Sequence, residues 1–528
     1  MRHEKQELDS TPSETVISNP NISAHNSDSS VESQDWEHAV ETSDGAFRDT
    51  SEYTSSGSAH DDMDLLLAND FDDDDIIEDI FTNEASEVIK QAPLFDESIL
   101  KDETQNLLPQ YGLIGSYSPL NGTKSISKLF LNTNVPFSAF ICGVQGSGKS
   151  HTTSCIMENS LIASKQLGKL TNPLSALVFS YGVFGDGSGY NISEAAFLAA
   201  PHANFRGGAH VKKVQVFVSP SNYIRISKLY ERLPNVSVLP FKLKPWSLDI
   251  DIMLTLMNVS ESGETPLYMA QVQNILRTMA TKGKPFNYVL FKKYLKKEKF
   301  NPAQENMLQI RLDILESFLD MDDSCAEPEF KTGEITILDM SCPFVDPNTA
   351  CILFRIGLQR YLQSSAAGKM VVVDEAHKVS RSLPRSLVLE LIRKQYMIKV
   401  PGAKALNESL LQTIRLQRHY GVRVVVSTQE PTLLTDLIAL CSITVVHRFS
   451  SPEWFAAIKR HIPFAPEDRE GLMQKIESLK TGTALLYSAN AVLGTDQHGG
   501  LLKGTGRMIQ IRIRKRVTSD GGQSVLAV

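Results

Sequence analysis

Phe137-Ser138-Ala139-Phe140-Ile141-Cys142-Gly143-Val144-Gln145-Gly146-Ser147-Gly148-Lys149-Ser150 decides the reading of this chain. The apolar run to Cys142 predicts a buried strand, and the next eight residues spell G-x-x-x-x-G-K-S. A helix is expected to open on Lys149. Gly146 and Gly148 lack a Cβ, so the loop can turn its N–H groups inward and bring backbone against phosphate oxygens. The helix N-terminus adds partial positive charge at the same point. Lys149 can reach β/γ-phosphates and the Ser150 hydroxyl can ligate Mg²⁺. Residues 143–150, with His151 after them, are therefore the expected contacts of a nucleoside triphosphate.

A second chemical element comes after Met370-Val371-Val372-Val373, another apolar run, which leads into Asp374-Glu375-Ala376-His377. Phosphoryl transfer needs a carboxylate near Mg²⁺ and a group that orients or deprotonates water. Asp374 suits the first task and Glu375 the second. His377 reads as an orienting or packing residue, because no second His or Cys stands at ligand spacing. A third element, Val424-Val425-Val426-Ser427-Thr428-Gln429, puts an amide at the end of a further buried strand. Gln429 is suited to sensing the γ-phosphate, to holding the lytic water, or to capping its own strand end.

Around these elements the 528 residues allow about two to four domains, and 42% hydrophobic content suffices for a large core. Charge is segregated: residues 1–100 hold 26 acidic and 4 basic residues, the rest 35 acidic and 49 basic. An acidic tail on a basic body suggests either nucleic-acid binding or a mildly basic soluble surface. Residues 1–110 are rich in Ser, Thr, Asn, Asp and Glu, lack a sustained apolar period, and are expected to be disordered. Within them, Asp64–Phe81 sets Leu65, Leu66, Leu67, Phe71, Ile76, Ile77, Ile80 and Phe81 among acids. Such a segment reads as a docking element for a protein partner or as a solvated tail, and the acidic tail as a whole reads as a candidate occupant of the chain's own basic surface.

From 111 to 528 the composition is globular. A helix is expected from Lys149 to near Leu167, then strands at Ala176–Phe179, Val214–Val218, Ile335–Asp339, Met370–Val373, Val422–Val426 and Ile443–Val446. Continuous apolar strands alternating with helices predict an α/β fold with a mostly parallel sheet covered on both faces. Residues 262–322 read mainly as a helical insert bearing Lys292-Lys293-Tyr294-Leu295-Lys296-Lys297. Six scattered cysteines without a C-x-x-C pair are expected to be buried free thiols. No apolar signal core and no membrane-length apolar run is present, so the expectation is an intracellular protein, cytoplasmic or nuclear.

The phosphate loop GVQGSGKS, the strand VVVDEAHK and the run IRLQRHYGVRVVVSTQEPTLL, in that order, resemble the HerA/FtsK superfamily of P-loop ATPases, nearest the HerA and conjugation-type branch. The likeness spans about 125–515, taking in Val445-Val446-His447-Arg448 and Gly482. It implies a RecA-like P-loop NTPase core, a hexameric homo-oligomeric ring, ATP hydrolysis between subunits and movement of DNA. It assigns Lys149 and Ser150 to phosphate and Mg²⁺, Asp374 to Mg²⁺, Glu375 to the base and Gln429 to the sensor. A trans arginine finger is also implied, for which Arg418, Arg415 and Arg448 are the candidates. The chain departs from relatives at Val178-Phe179-Ser180-Tyr181-Gly182, where an acidic/His motif is common, and in lacking an evident N-terminal barrel. A protein-remodelling or secretion-type motor, or a nucleotide-dependent scaffold whose tail recruits partners, is the alternative function.

Overall fold

The computed structural model describes residues 84–100, 105–119, 126–182, 192–205, 208–248, 250, 253, 267–283, 285–374, 401–463, 471–495 and 500–521. All belong to one compact unit, Asp72–Val528; the other unit, Met1–Phe71, lies outside the described residues.

The strands are β1 (Leu94–Asp96), β2 (Tyr111–Tyr117), β3 (Ser127–Asn132), β4 (Ser138–Cys142), β5 (Gly168–Lys169), β6 (Ser175–Ser180), β7 (Lys213–Val218) and β8 (Val236–Pro240). They continue as β9 (Glu334–Asp339), β10 (Lys369–Val373), β11 (Val422–Thr428), β12 (Ile443–Val446), β13 (Thr483–Tyr487), β14 (Val492–Thr495), β15 (Leu501–Lys503) and β16 (Ile509–Ile513). Strands β12-β4-β11-β10-β6-β9-β7-β8 lie side by side in that order, every pair parallel. The strand before the phosphate loop, β4, is thus flanked by β12 and β11, with β10 one place further. This is the RecA-like P-loop arrangement that the sequence led us to expect.

Parallel strands bury both faces, which is why these runs are apolar without alternation. Phe140, Cys142, Val371, Val373, Val424 and Val426 enter one core. Ala139, Ile141, Met370, Val372 and Val425, between them in sequence, enter the core on the other face. Helix α1 (Lys149–Leu161) packs into the second core through Cys155, Ile156, Met157 and Leu161. The first core takes the helices of the insert, α2 (Leu267–Ala280), α3 (Tyr288–Leu295) and α4 (Pro302–Ser317), together with α5 (Pro347–Gln363) and α6 (Pro401–Arg415). The insert hangs from the β8 edge, where Leu243 and Asp320 bond to Phe318 and Leu243 backbone carbonyls respectively.

Three expectations are corrected. The ordered body begins before 111: β1 pairs β3 and β14, and Ile89, Ala92, Phe95 and Ile99 share a small core with Leu108, Tyr111 and Val492. The helix after the phosphate loop ends at Leu161, not near Leu167. Ile162 turns to extended geometry while its N–H still bonds Glu158, and Gly168 joins β5 against β2. Gly168 has φ 146°, and a Cβ there would lie 2.4 Å from the Tyr111 carbonyl oxygen, so the close strand approach requires glycine. The sheet also continues beyond β12 as an antiparallel extension, β13-β16-β2-β3-β1, built from both ends of the described chain.

Among the described residues no helix is long and apolar enough to cross a membrane. All six cysteines are free, four of them buried.

Candidate nucleotide site

Register aligns the carboxyl ends of four adjacent strands. Cys142 of β4 pairs with Val446 of β12 and Thr428 of β11, and Val373 of β10 pairs with Val426 of β11. The residues just beyond these strand ends therefore collect at one edge of the sheet: His447-Arg448, the loop from Gly143, Gln429, and Asp374. Ligands gather at this edge of open α/β sheets. Two strand steps separate β4 from β10, about 10 Å, a gap that Ser150 and Asp374 side chains with a metal and phosphate between them can fill.

The loop is fixed from below and open above. The Val144 N–H donates to the Arg448 carbonyl at 3.0 Å, and the His447 N–H to the Cys142 carbonyl at 2.8 Å. Ser147 Oγ donates to the Val144 carbonyl at 2.7 Å, while Gln145 and Gly146 are exposed. Gly143 and Gly148 have φ 151° and 109°. A Cβ on Gly143 would lie 2.7 Å from the His447 Cβ, so this position has neither the conformation nor the room for a side chain. Gly148 caps α1 and has no side chain to occupy the first-turn N–H groups, which leaves the helix N-terminus to an anionic ligand. Lys149 is buried, and its Nζ donates to the Val144 carbonyl at 2.9 Å, which holds the ammonium over the loop. Loop amides, the helix terminus and an ammonium make a site that fits a polyphosphate. The hydroxyl of Ser150 and the carboxylate of Asp374, both half-buried, are hard oxygen donors of the kind Mg²⁺ takes.

His447 is a site residue that motif reading named but gave no role. It is fully buried, and its Nε2 lies 2.9 Å from Thr152 Oγ1 on α1. Burial first, and the nearby Lys149 charge second, push its pKa down to about 4, so the ring is neutral at physiological pH. The ring edge stands beside Gly148, where a Cβ would come within 3.4 Å of Cε1. A neutral ring can pack against the loop without repelling Lys149.

Behind the loop, α1 carries Glu158 at 0% exposure. Arg514 Nη1 reaches its Oε2 at 2.6 Å, and Thr518 donates to Oε1 through backbone N–H at 2.9 Å and hydroxyl at 2.6 Å. Arg514 also bonds Asn159 Oδ1 and the Cys155 carbonyl. Residues 514–518 are thus a strap over the phosphate-loop helix. His151 faces this strap: its Nε2 lies 2.8 Å from the Arg514 carbonyl oxygen, so its ring points away from the loop with which the sequence grouped it.

The arginine candidates separate. Arg448 is exposed at the nucleotide edge, directly after β12 and His447. Arg415 and Arg418 are exposed before β11, at the amino edge of the sheet, so they are not brought to this chain's own loop. Gln429 is half-buried at the end of β11. Glu375 and His377 lie outside the described residues.

No protein-family model and no curated protein matches the chain. Solved structures do. VirB4 of Thermoanaerobacter pseudethanolicus is similar at 13% identity and TM-score 0.41, over 72% of this chain and 89% of that one. The bacterial conjugative coupling protein TrwBΔN70 is similar at 12% identity and TM-score 0.36, over 73% and 87%. The genome packaging NTPase B204 of Sulfolobus turreted icosahedral virus 2, in complex with ATP-γS, is similar at 10% identity and TM-score 0.25, over 70% and 97%. The fold assignment rests on this chain's own strand order and loop.

Proposed function

We propose that this chain is an ATP-hydrolysing motor of the HerA/FtsK type that works as a homo-oligomeric ring and acts on DNA. The observation that carries the reading is the convergence of the phosphate loop, Asp374, Gln429 and Arg448 at adjacent strand ends. In this reading the loop amides and the α1 terminus bind the phosphate oxygens. Lys149 exchanges the Val144 carbonyl for the β/γ-phosphates, which it reaches from the same buried stem. Ser150 and Asp374 hold Mg²⁺, which when bound neutralises charge on the transferring phosphoryl group. Glu375 accepts a proton from the attacking water, and Gln429 orients that water or senses the γ-phosphate. An exposed arginine of a neighbouring copy supplies transition-state charge.

The basic excess outside residues 1–100 supports a phosphate-backbone contact with DNA, which makes binding steeply salt-dependent. The test is ATP turnover of the purified chain at low salt, with and without duplex DNA, beside a mass measurement of the assembly. Turnover that rises with DNA in an oligomer supports the reading. Hydrolysis without DNA binding or stimulation sinks the DNA assignment, and absent hydrolysis sinks the motor.

A further inference from the structure

The helical insert carries a face that the nucleotide site does not use. On α3 the buried positions are Tyr288, Phe291 and Leu295, which enter the core. The opposite side is exposed and mixes two chemistries at helical spacing: Val289 at 64% and Leu290 at 41% exposure, then Lys293, Lys296 and Lys297. Lys282 adds to the positive field, its Nζ bonding Tyr294 Oη at 2.7 Å and standing 4.8 Å from the ring centroid. Lys297 stands 6.0 Å from the same ring. The hydrogen bond from Lys282 and the charges of Lys282, Lys297 and Lys293 pull the Tyr294 phenol below its usual range. Glu316, which meets α3 from α4, is already engaged by Lys292 at 2.6 Å and Tyr288 at 2.7 Å, and the exposed Glu298 follows Lys297.

A bare phosphate-binding surface has no use for two exposed aliphatic side chains beside its lysines. An acidic peptide with bulky apolar residues does. The chain contains one: residues 72–81, Asp72-Asp73-Asp74-Asp75-Ile76-Ile77-Glu78-Asp79-Ile80-Phe81, hold six acids, four large apolar residues and no base. Position decides whose segment docks. Residues 84–91 are helical, and Ile89 packs into the small core around β1. The chain between residue 84 and Phe81 spans roughly 10 Å at most. The insert hangs from β8, at the other end of a strand order in which β1 and β8 are twelve steps apart. Each step is about 4.8 Å.

We propose that residues 72–81 of one copy dock on the Val289–Lys297 face of the insert of a second copy. The aspartates meet Lys293, Lys296 and Lys297, and the isoleucines cover Val289 and Leu290. Segment and face differ, and the described chain that follows the segment meets β1, twelve strand steps from β8, so the contact is head-to-tail, the kind that closes into rings. This rests on the ring reading above and names a contact that holds the ring.

The test places a photo-crosslinking amino acid at Leu290 in the full chain and uses a 1:1 mixture of isotopically light and heavy protein. The expected product joins position 290 to a peptide containing 72–81, with light–heavy pairs present. Lys293→Glu with Lys297→Glu should lower its yield about tenfold, and adding Asp73→Lys with Asp74→Lys should restore it. Because the outcome is read as recovery, loss through misfolding is told apart. Products confined to one isotope, products outside 72–81, or a yield unmoved by charge reversal each overturn the proposal. So does a charge-reversed pair that loses DNA binding while keeping the crosslink, which would give the face to nucleic acid. A light–heavy crosslink in a protein without ATP turnover would sink the motor and leave this contact standing.

Discussion

Thr152 Oγ1 and His447 Nε2 stand 2.9 Å apart, joining the helix behind the phosphate loop to the end of the strand beside it. Almost three hundred residues separate the two in sequence, and both are fully buried. The bond fixes the angle at which α1 leaves the loop, and so the direction in which its N-terminus points.

His447 gives a pH dependence whose sign is set by its depressed pKa. Between its ordinary value of 6.5 and about 4, the unfolded chain binds a proton that the folded site refuses. Stability is therefore whole above about 6.5 and falls as pH drops toward 4, by at most about 3 kcal/mol. Urea unfolding at pH 7.5 and 4.5 should show this loss. His447→Gln, which keeps a group for Thr152, should flatten the difference; an equal pH slope in the variant would show that another group titrates.

Gly143→Ala tests the close packing of loop and strand. Its Cβ would intrude to 2.7 Å from His447 and 2.8 Å from Ser147 Oγ. Nucleotide affinity, measured by calorimetry, should fall at least about tenfold, a cost of about 1.4 kcal/mol or more. Unchanged affinity would mean that the loop does not hold this conformation when it binds.

Lys149→Ala should abolish productive ATP binding while the far-ultraviolet circular dichroism spectrum stays that of the parent. Glu375→Gln should still bind ATP and lose about 10²–10⁴-fold in turnover, the range for removal of a general base. Turnover near the parent's in that variant would assign the base elsewhere.

Glu158→Gln removes the charge that Arg514 meets at 2.6 Å in a buried network. An uncompensated buried arginine should destabilise the protein by about 3–5 kcal/mol. Differential scanning calorimetry reads this as a lower unfolding temperature, and the loosened strap should raise the proteolysis rate after Arg514. A variant as stable as the parent would show that solvent reaches Arg514.

The sequence alone determined the phosphate loop, the helix opening on Lys149 and the parallel strands apart from β8. These are local matters: a glycine where a Cβ has no room, a lysine and serine at fixed offsets, and unbroken apolar runs that only two-sided burial explains. It placed Asp374 at a strand end for the same reason. It overran α1 by six residues, because the stop is set by pairing of Gly168 with β2, a contact distant in sequence. It began the body at 111, although Phe95 and Val492 pair across about four hundred residues, a contact with no local signature. Tertiary structure decided that β11 lies between β4 and β10, which sets the spacing from loop to Asp374. It also decided that His447 and the 514–518 strap brace α1, and that Arg448, unlike Arg415 and Arg418, stands at the nucleotide edge. Pairing and burial are non-local, so the order of strands and the partners of a buried polar group emerge only when the chain is folded.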